Sequence, residues 1–388
     1  MNILIIHPKI IWRGAEQTLV NIALGLKKGG VKVRIVSLYI DKENQPPYHQ
    51  DLDFILPSIF WQKMFYQHFF LFITFGFWVL LYLALKNSKK VDIINPHNFP
   101  SCWVAVIVGK IKKIPVIWIV HDIPKKISFS KTSSVGEYFA LRLASGTLDK
   151  FFVKRINLIL VGSRSMKYQV RERYGITAVL MYHPVSEIFF NEQNFTSLGL
   201  EQLRLQDKFV ITNAANLHAI KNQISIIKAI PRIAFKIPQV LLVLAGEGPL
   251  KEKYEGFVSK NNLQDNIYFT GVISHERLSR IYSSTKVLVV SSLDEPWGMT
   301  PFEALLQGAV PVVSKYAGCA NVIKENQLGI VIKPNPKEIA RAVIFIKNNP
   351  NKVNKMVAAG QKWVNNNMLL PVFCQKLDEL MHDVVARY

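Results

Sequence analysis

The sequence predicts an α/β protein made of two successive Rossmann-like domains, each built on a parallel sheet. Two observations carry this reading. Short apolar, β-branched runs at residues 3–6, 116–120, 240–245 and 287–292 have the composition of strands buried on both faces, and helical patterns separate them. The alternation starts near residue 3, pauses in a polar stretch at 191–207 and starts again at 209, and 388 residues are too many for one ordinary core. The expected division is 1–190, 191–370, and a terminal helix over 371–388 that packs back on the first domain.

Composition narrows the function classes. The chain is 49% hydrophobic and 11% aromatic, which excludes a disordered protein. Of its net charge of +21, +14 falls in residues 1–190 and +7 in the rest. A basic first half points to an anionic partner, such as phosphate-bearing substrates or an acidic membrane surface. Nucleic acid fits the charge alone, because neither a basic aromatic strand set nor a helix-turn-helix accompanies it, so no nucleic-acid partner is expected. Cys102, Cys319 and Cys374 have no metal-ligand spacing and form no disulfide framework, which suits a reducing cytosol. Residues 1–7 lack the basic start of a signal peptide, so none is expected.

In the first half, the strand at 3–6 leads through Gly14-Ala15-Glu16 into a helix whose Leu19, Ile22, Ala23 and Leu26 share one face. Gly29-Gly30 ends it and the next strand begins at Val31. The opening lacks the three-glycine dinucleotide fingerprint, so a nicotinamide cofactor is not supported. Residues 69–85 carry no charge and are apolar all round, with Phe70, Phe72, Phe75, Phe77, Trp78 and Tyr82 among them and Lys63, Lys86, Lys89 and Lys90 on either side. Three placements are open: lying in a membrane surface, buried or covered by a partner, or spanning a bilayer. The strand at 91–94 follows at once and belongs with the earlier strands, which argues against spanning and favours a monotopic, membrane-embedded face. After the strand at 116–120, His121 sits at a sheet edge, either as a ligand-facing group or as a loop cap, and residues 124–134 read as a basic loop. Asp51-Leu52-Asp53 has the spacing of a metal-binding pair but follows no clear strand, and no metal is expected.

In the second half, the strand at 209–214 ends in a loop holding Asn216, His218, Lys221 and Asn222. The strand at 240–245 ends in Gly246-Glu247-Gly248-Pro249, a turn suited to close backbone approach. After the strand at 287–292, Asp294 to Met299 form a loop, and Thr300-Pro301-Phe302-Glu303 reads as a helix start. Thr300 would be its N-cap and Glu303 would close a capping box. Such a loop at a strand's carboxyl end favours a phosphate.

These residues resemble glycosyltransferase family 4, the retaining nucleotide-sugar glycosyltransferases of the GT-B fold. The main match is Glu295 and Glu303 within Glu-Pro-Trp-Gly-Met-Thr-Pro-Phe-Glu, followed by Gly308, Pro311-Val312-Val313 and Gly318. Gly14-Ala15-Glu16, His121-Asp122, Lys221-Asn222, Gly246-Glu247-Gly248 and Phe269-Thr270-Gly271 match in the same order. The resemblance implies two domains facing each other across a cleft, with Glu295 and His121 at the transferred sugar. It also implies a donor site formed by Gly14, Asn216, Lys221, Gly246, Val272, Ile273, Gly298, Met299, Thr300 and Glu303. Lys221 would bind the diphosphate, Glu303 the ribose, and Val272 and Ile273 would lie near the base. Asn216 stands where the family has an arginine, Arg13 where a glycine is common, and Asn321 where a glutamate is common. The activity implied is metal-independent transfer of a hexose, by front-face attack, from a nucleotide diphosphate sugar to a membrane lipid or lipid-linked glycan acceptor. The nucleotide sugar is a substrate and no cofactor is expected. The place implied is the inner face of the cytoplasmic membrane, with the protein peripheral to it. A second reading is a catalytically weak GT-B protein that serves as a membrane-bound scaffold in glycan assembly.

Overall fold

The computed structural model describes residues 1–11, 14–41, 51–68, 75–98, 101–121, 123, 146–190 and 205–388. Arg13, Phe70, Phe72, Asp122, the basic stretch at 124–134 and most of the 191–207 linker lie outside the described residues. The chain forms two compact units, Met1–Pro184 with Leu370–Tyr388, and Val185–Leu369. The division falls at Pro184 rather than at 190, because the turn at Glu187–Phe189 belongs to the second unit, where Gln307 Nε2 donates to the Phe189 carbonyl.

The strands of the first unit are β1 (Asn2–Ile6), β2 (Lys9–Ile10), β3 (Lys32–Val36), β4 (Tyr39–Ile40), β5 (Asp53–Ile55), β6 (Ile93–Pro96), β7 (Ile117–Val120), β8 (Leu158–Val161) and β9 (Val179–Leu180). A parallel sheet runs in the order β5-β3-β1-β6, a second in the order β7-β8-β9, and a bridge from Ile94 to Val116 links them. Alternate residues supply two cores. Leu4, Ile6 and Val36 pack with the helices Phe75–Lys86 and Ser101–Lys112. Ile3, Ile5, Val33 and Ile35 pack under the helices Gly14–Lys28 and Leu370–Arg387. Both faces of the sheet are covered, and the period-2 burial of a central strand explains why its run reads as continuously apolar. Gly25 permits the helix pairing, since a Cβ there would lie 2.6 Å from Cys374 Sγ.

The aromatic run is broken by its environment. Within Phe75–Lys86, Gly76, Leu80, Leu81 and Ala84 are buried, whereas Phe75, Trp78 and Tyr82 stay exposed. Ile59 and Phe60, on the separate helix Ile59–Gln67, are exposed too. The helix therefore has one face in the core and one aromatic face in solvent. Among the described residues, no helix is long and apolar enough to cross a membrane.

The second unit holds β10 (Phe209–Ala214), β11 (Val240–Ala245), β12 (Ile267–Gly271), β13 (Thr285–Val290), β14 (Val310–Ser314) and β15 (Ile330–Ile332). All are parallel, in the order β12-β11-β10-β13-β14-β15. The chain winds one way from β10 to β12, then returns to β10 and winds the other way. The crevice between β10 and β13 is thus the point where the winding reverses, and open α/β sheets take ligands there.

Candidate active site

Lys221 and Glu295 reach each other across that reversal point. Lys221 ends a short turn, Ala219–Lys221, after β10, and Glu295 lies in the loop after β13. Lys221 Nζ donates to Glu295 Oε2 at 2.5 Å, and Ser292 Oγ donates to the same oxygen at 3.3 Å. The two loops are stitched together. Ser291 Oγ donates to the Lys221 carbonyl at 2.8 Å, Leu293 N donates to the Ile220 carbonyl at 2.8 Å, and Asn222 Nδ2 donates to the Ser291 carbonyl at 3.3 Å. Asn222 turns the chain in the left-handed region, at φ 54°. The strand expected over 287–292 ends at Val290, which frees Ser291 and Ser292 for this work. Neither serine was singled out from the sequence, where both read as the end of an apolar run.

The loop after β13 is clamped from the other side. The amides of Gly318 and Cys319 donate to the carbonyls of Glu295 and Trp297, at 2.8 and 3.0 Å. A Cβ on Gly318 would lie 2.0 Å from the Pro296 carbonyl oxygen, so this glycine is required by the close approach. The Trp297 ring stacks on Phe302, which stacks on Trp363. Gly298 takes a positive φ of 92°.

The helix Thr300–Leu306 does not start as expected. Met299 already has helical angles, and no side chain caps the end. The capping box is absent because the Phe302 and Glu303 amides both turn back to the Met299 carbonyl. The Glu303 carboxyl is instead buried beside Tyr282. Burial pushes it up to about 8, with the Tyr282 hydroxyl acting in the opposite direction.

The remaining second-unit candidates separate. Asn216 is exposed, and its carbonyl accepts from Gln223 Nε2 at 3.0 Å. Gly246 and Gly248 are needed by the protein's own backbone, since Cβ atoms there would lie 2.3 and 2.6 Å from the carbonyl oxygens of Ala215 and Leu217. Val272 is 73% exposed, whereas Ile273 packs against the core of Val210, Leu241, Val243 and Ile281.

In the first unit, β1 lies between β3 and β6, so the winding reverses between β1 and β6. His7 follows β1, His97 follows β6 and His121 follows β7, and with His183 they form a stacked cluster. Ring centroids lie 4.9 Å apart for His97 and His121 and 5.0 Å apart for His121 and His183. Nδ1 of His97 is 2.7 Å from Nε2 of His121. Burial holds the pKa of His7 at about 3 and that of His183 at about 4. His97 and His121 also lie well below the usual imidazole range, first through burial and then through the neighbouring histidines. Of these four only His121 was picked out from the sequence. The available signal was a His immediately after each of three parallel strands. Gly14 begins its helix with open space where a Cβ would stand. Among the described residues, no group of three His, Cys, Asp or Glu side chains is arranged to hold a metal ion.

Two parallel α/β units, each with a polar cluster at its winding-reversal point, fit the GT-B architecture. Comparison with known proteins agrees. The profile for Glycosyltransferase Family 4 matches residues 12–186, and that for Glycosyl transferases group 1 matches residues 200–363. An uncharacterized glycosyltransferase of Methanocaldococcus jannaschii is 32% identical over 273 residues, 67% of each chain. The alpha-1,3/1,6-mannosyltransferase of Dictyostelium discoideum is 20% identical over 98% of both. Among solved structures, an Anabaena protein in complex with UDP and glucose has a TM-score of 0.78 at 18% identity, covering 99% of this chain and 100% of that one. The chain belongs to the family 4 glycosyltransferases.

Proposed function

We propose that the protein is a retaining hexosyltransferase that takes its sugar from a uridine or other nucleotide diphosphate sugar and passes it to a membrane-associated acceptor. The observation that carries the reading is the Lys221–Glu295 pair at the point where the second sheet reverses its winding, with Glu303 buried nearby in the following helix. Lys221 supplies the positive charge that a leaving diphosphate needs, and Glu295 both holds the lysine and faces the sugar, where positive charge develops. Glu303 accepts from the ribose hydroxyls. Gly298, Met299 and Thr300 present backbone to the donor, Asn216 and Val272 border it, and Gly14 and His121 act from the first unit. The bond from the anomeric carbon to the phosphate oxygen breaks as the acceptor oxygen bonds to the same face. The acceptor's proton passes to the departing diphosphate. The UDP and mannosyl chemistry in the names of related proteins favours a hexose donor.

The membrane part of the proposal rests on the aromatic face. Phe60 and Trp78 are each 65% exposed and Tyr82 is 60% exposed, close in sequence to Lys63, Lys86, Lys89 and Lys90. Aromatic rings among basic residues suit the headgroup region of an anionic bilayer, here the inner face of the cytoplasmic membrane.

The test is release of free nucleotide diphosphate by purified protein from a panel of nucleotide sugars, with and without a membrane-lipid extract. Lipid-dependent release, lost in Glu295→Gln, is expected. If no nucleotide sugar is consumed under either condition, the catalytic reading fails.

A further inference from the structure

The first unit contains a proton-fixing chain whose direction can be read from its atoms. It begins at the Ile117 carbonyl, which must accept. Asn95 Nδ2 lies 2.6 Å from it, so the amide's nitrogen faces Ile117 and its oxygen faces the other way. That oxygen is 2.9 Å from His97 Nε2, which must therefore carry a hydrogen. His97 is kept neutral by burial among other histidines, so its second nitrogen, Nδ1, has no hydrogen and accepts. Nδ1 of His97 is 2.7 Å from His121 Nε2, which must then be the donor. His121 is neutral for the same reason. Its remaining nitrogen, Nδ1, is bare.

We propose that Asn95 and His97 are positioning residues that lock His121 as its Nε2–H tautomer, so that Nδ1 accepts a hydrogen bond from a hydroxyl of the transferred sugar and turns away a carboxylate at the same position. The inference rests on the reading that His121 touches the sugar, and it adds a selectivity: neutral hexoses are taken and the corresponding uronic acids are refused. A hydroxyl can donate to a bare imidazole nitrogen. A carboxylate offers only lone pairs to it, and a mismatched buried polar pair is costly.

Asn95→Leu removes the acceptor that fixes the His97 hydrogen on Nε2, so both tautomers of His97, and with them both tautomers of His121, become accessible. His97→Phe keeps a ring and removes the relay. The direct test is nitrogen NMR of the full chain with ¹⁵N-labelled histidine, the His121 signals being assigned with His121→Gln. In the wild-type protein, an unprotonated Nδ1 and a protonated Nε2 on His121 are expected, with the pattern mixed in Asn95→Leu and in His97→Phe. A protonated Nδ1 in the wild type overturns the proposal. Calorimetric binding of UDP-glucose and UDP-glucuronic acid gives the second readout. The wild type is expected to favour UDP-glucose, and Asn95→Leu to shrink that preference on the order of tenfold. Mixed tautomers with an unchanged preference would overturn the selectivity. The NMR result does not depend on turnover or on the donor's base, so a protein that binds neither sugar would overturn the selectivity for uridine donors while the tautomer assignment is still decided.

Discussion

A carboxyl group sealed beneath a helix start cannot ionise freely at neutral pH, and Glu303 is such a group, pushed up to about 8 by burial. Two effects of opposite sign follow. In the unfolded chain the group titrates near 4.5, so between that pH and about 8 the native state holds a proton that the unfolded state has released. The contribution of Glu303 to stability therefore falls as pH rises through this window, by at most about 1.4 kcal/mol per pH unit. A carboxylate accepts from ribose hydroxyls better than a carboxylic acid does, so donor affinity rises over the upper part of the same range. Glu303→Gln is predicted to flatten both trends. Thermal midpoints at pH 6, 7 and 8, with and without UDP, check this. The capping-box reading of Glu303 failed because it used only local spacing. The burial that sets its chemistry comes from tertiary packing, and the Tyr282 hydroxyl that opposes it lies twenty-one positions earlier in the chain, outside any local pattern.

At the scale of elements, the strands were legible because each is a short apolar run, but their ends were not. A run reads the same whether or not its last residues still belong to the sheet. Ser291 and Ser292 leave it to hold Lys221 and Glu295, and that exchange depends on a loop seventy residues away. The histidine cluster is a property of sheet order, since β1, β6 and β7 deliver their following residues to one place. Its pKa values predict acid sensitivity. Below about 6.5 the unfolded chain binds protons that the buried native rings refuse, so stability is lost as pH falls from 6.5 toward 4. The midpoint of thermal unfolding should fall between pH 7 and 5, and His183→Gln should reduce the slope. The helix Phe75–Lys86 makes the converse case. Its composition showed the apolar character, but only packing shows which side faces out. Trp78→Ser with Tyr82→Ser touches exposed positions, so stability should change by less than about 1 kcal/mol. Sedimentation with phosphatidylglycerol vesicles should fall several-fold, with UDP-glucose binding unchanged. Undiminished sedimentation would mean that this face is not the membrane contact.

For the whole molecule, the two α/β units and the family were legible from ordered motifs alone, because most of the motifs lie at or just after the carboxyl end of a strand. The sequence could not reveal that Gly246, Gly248 and Gly318 serve the protein's own backbone first. Glycines required by a ligand and glycines required by a neighbouring loop look alike in a sequence. The charge proposed to bind the anion is concentrated. Asn216 is exposed and uncharged, so under the proposed function Lys221, tethered by Glu295, is the cation that the loop after β10 would offer to a diphosphate. The most direct test of this account is calorimetric titration of the wild-type protein and Lys221→Ala with UDP and UDP-glucose. The account predicts that the wild type binds both, and that the substitution weakens both about tenfold or more, the scale of one charge-assisted contact. Equal affinities in the two proteins would contradict it.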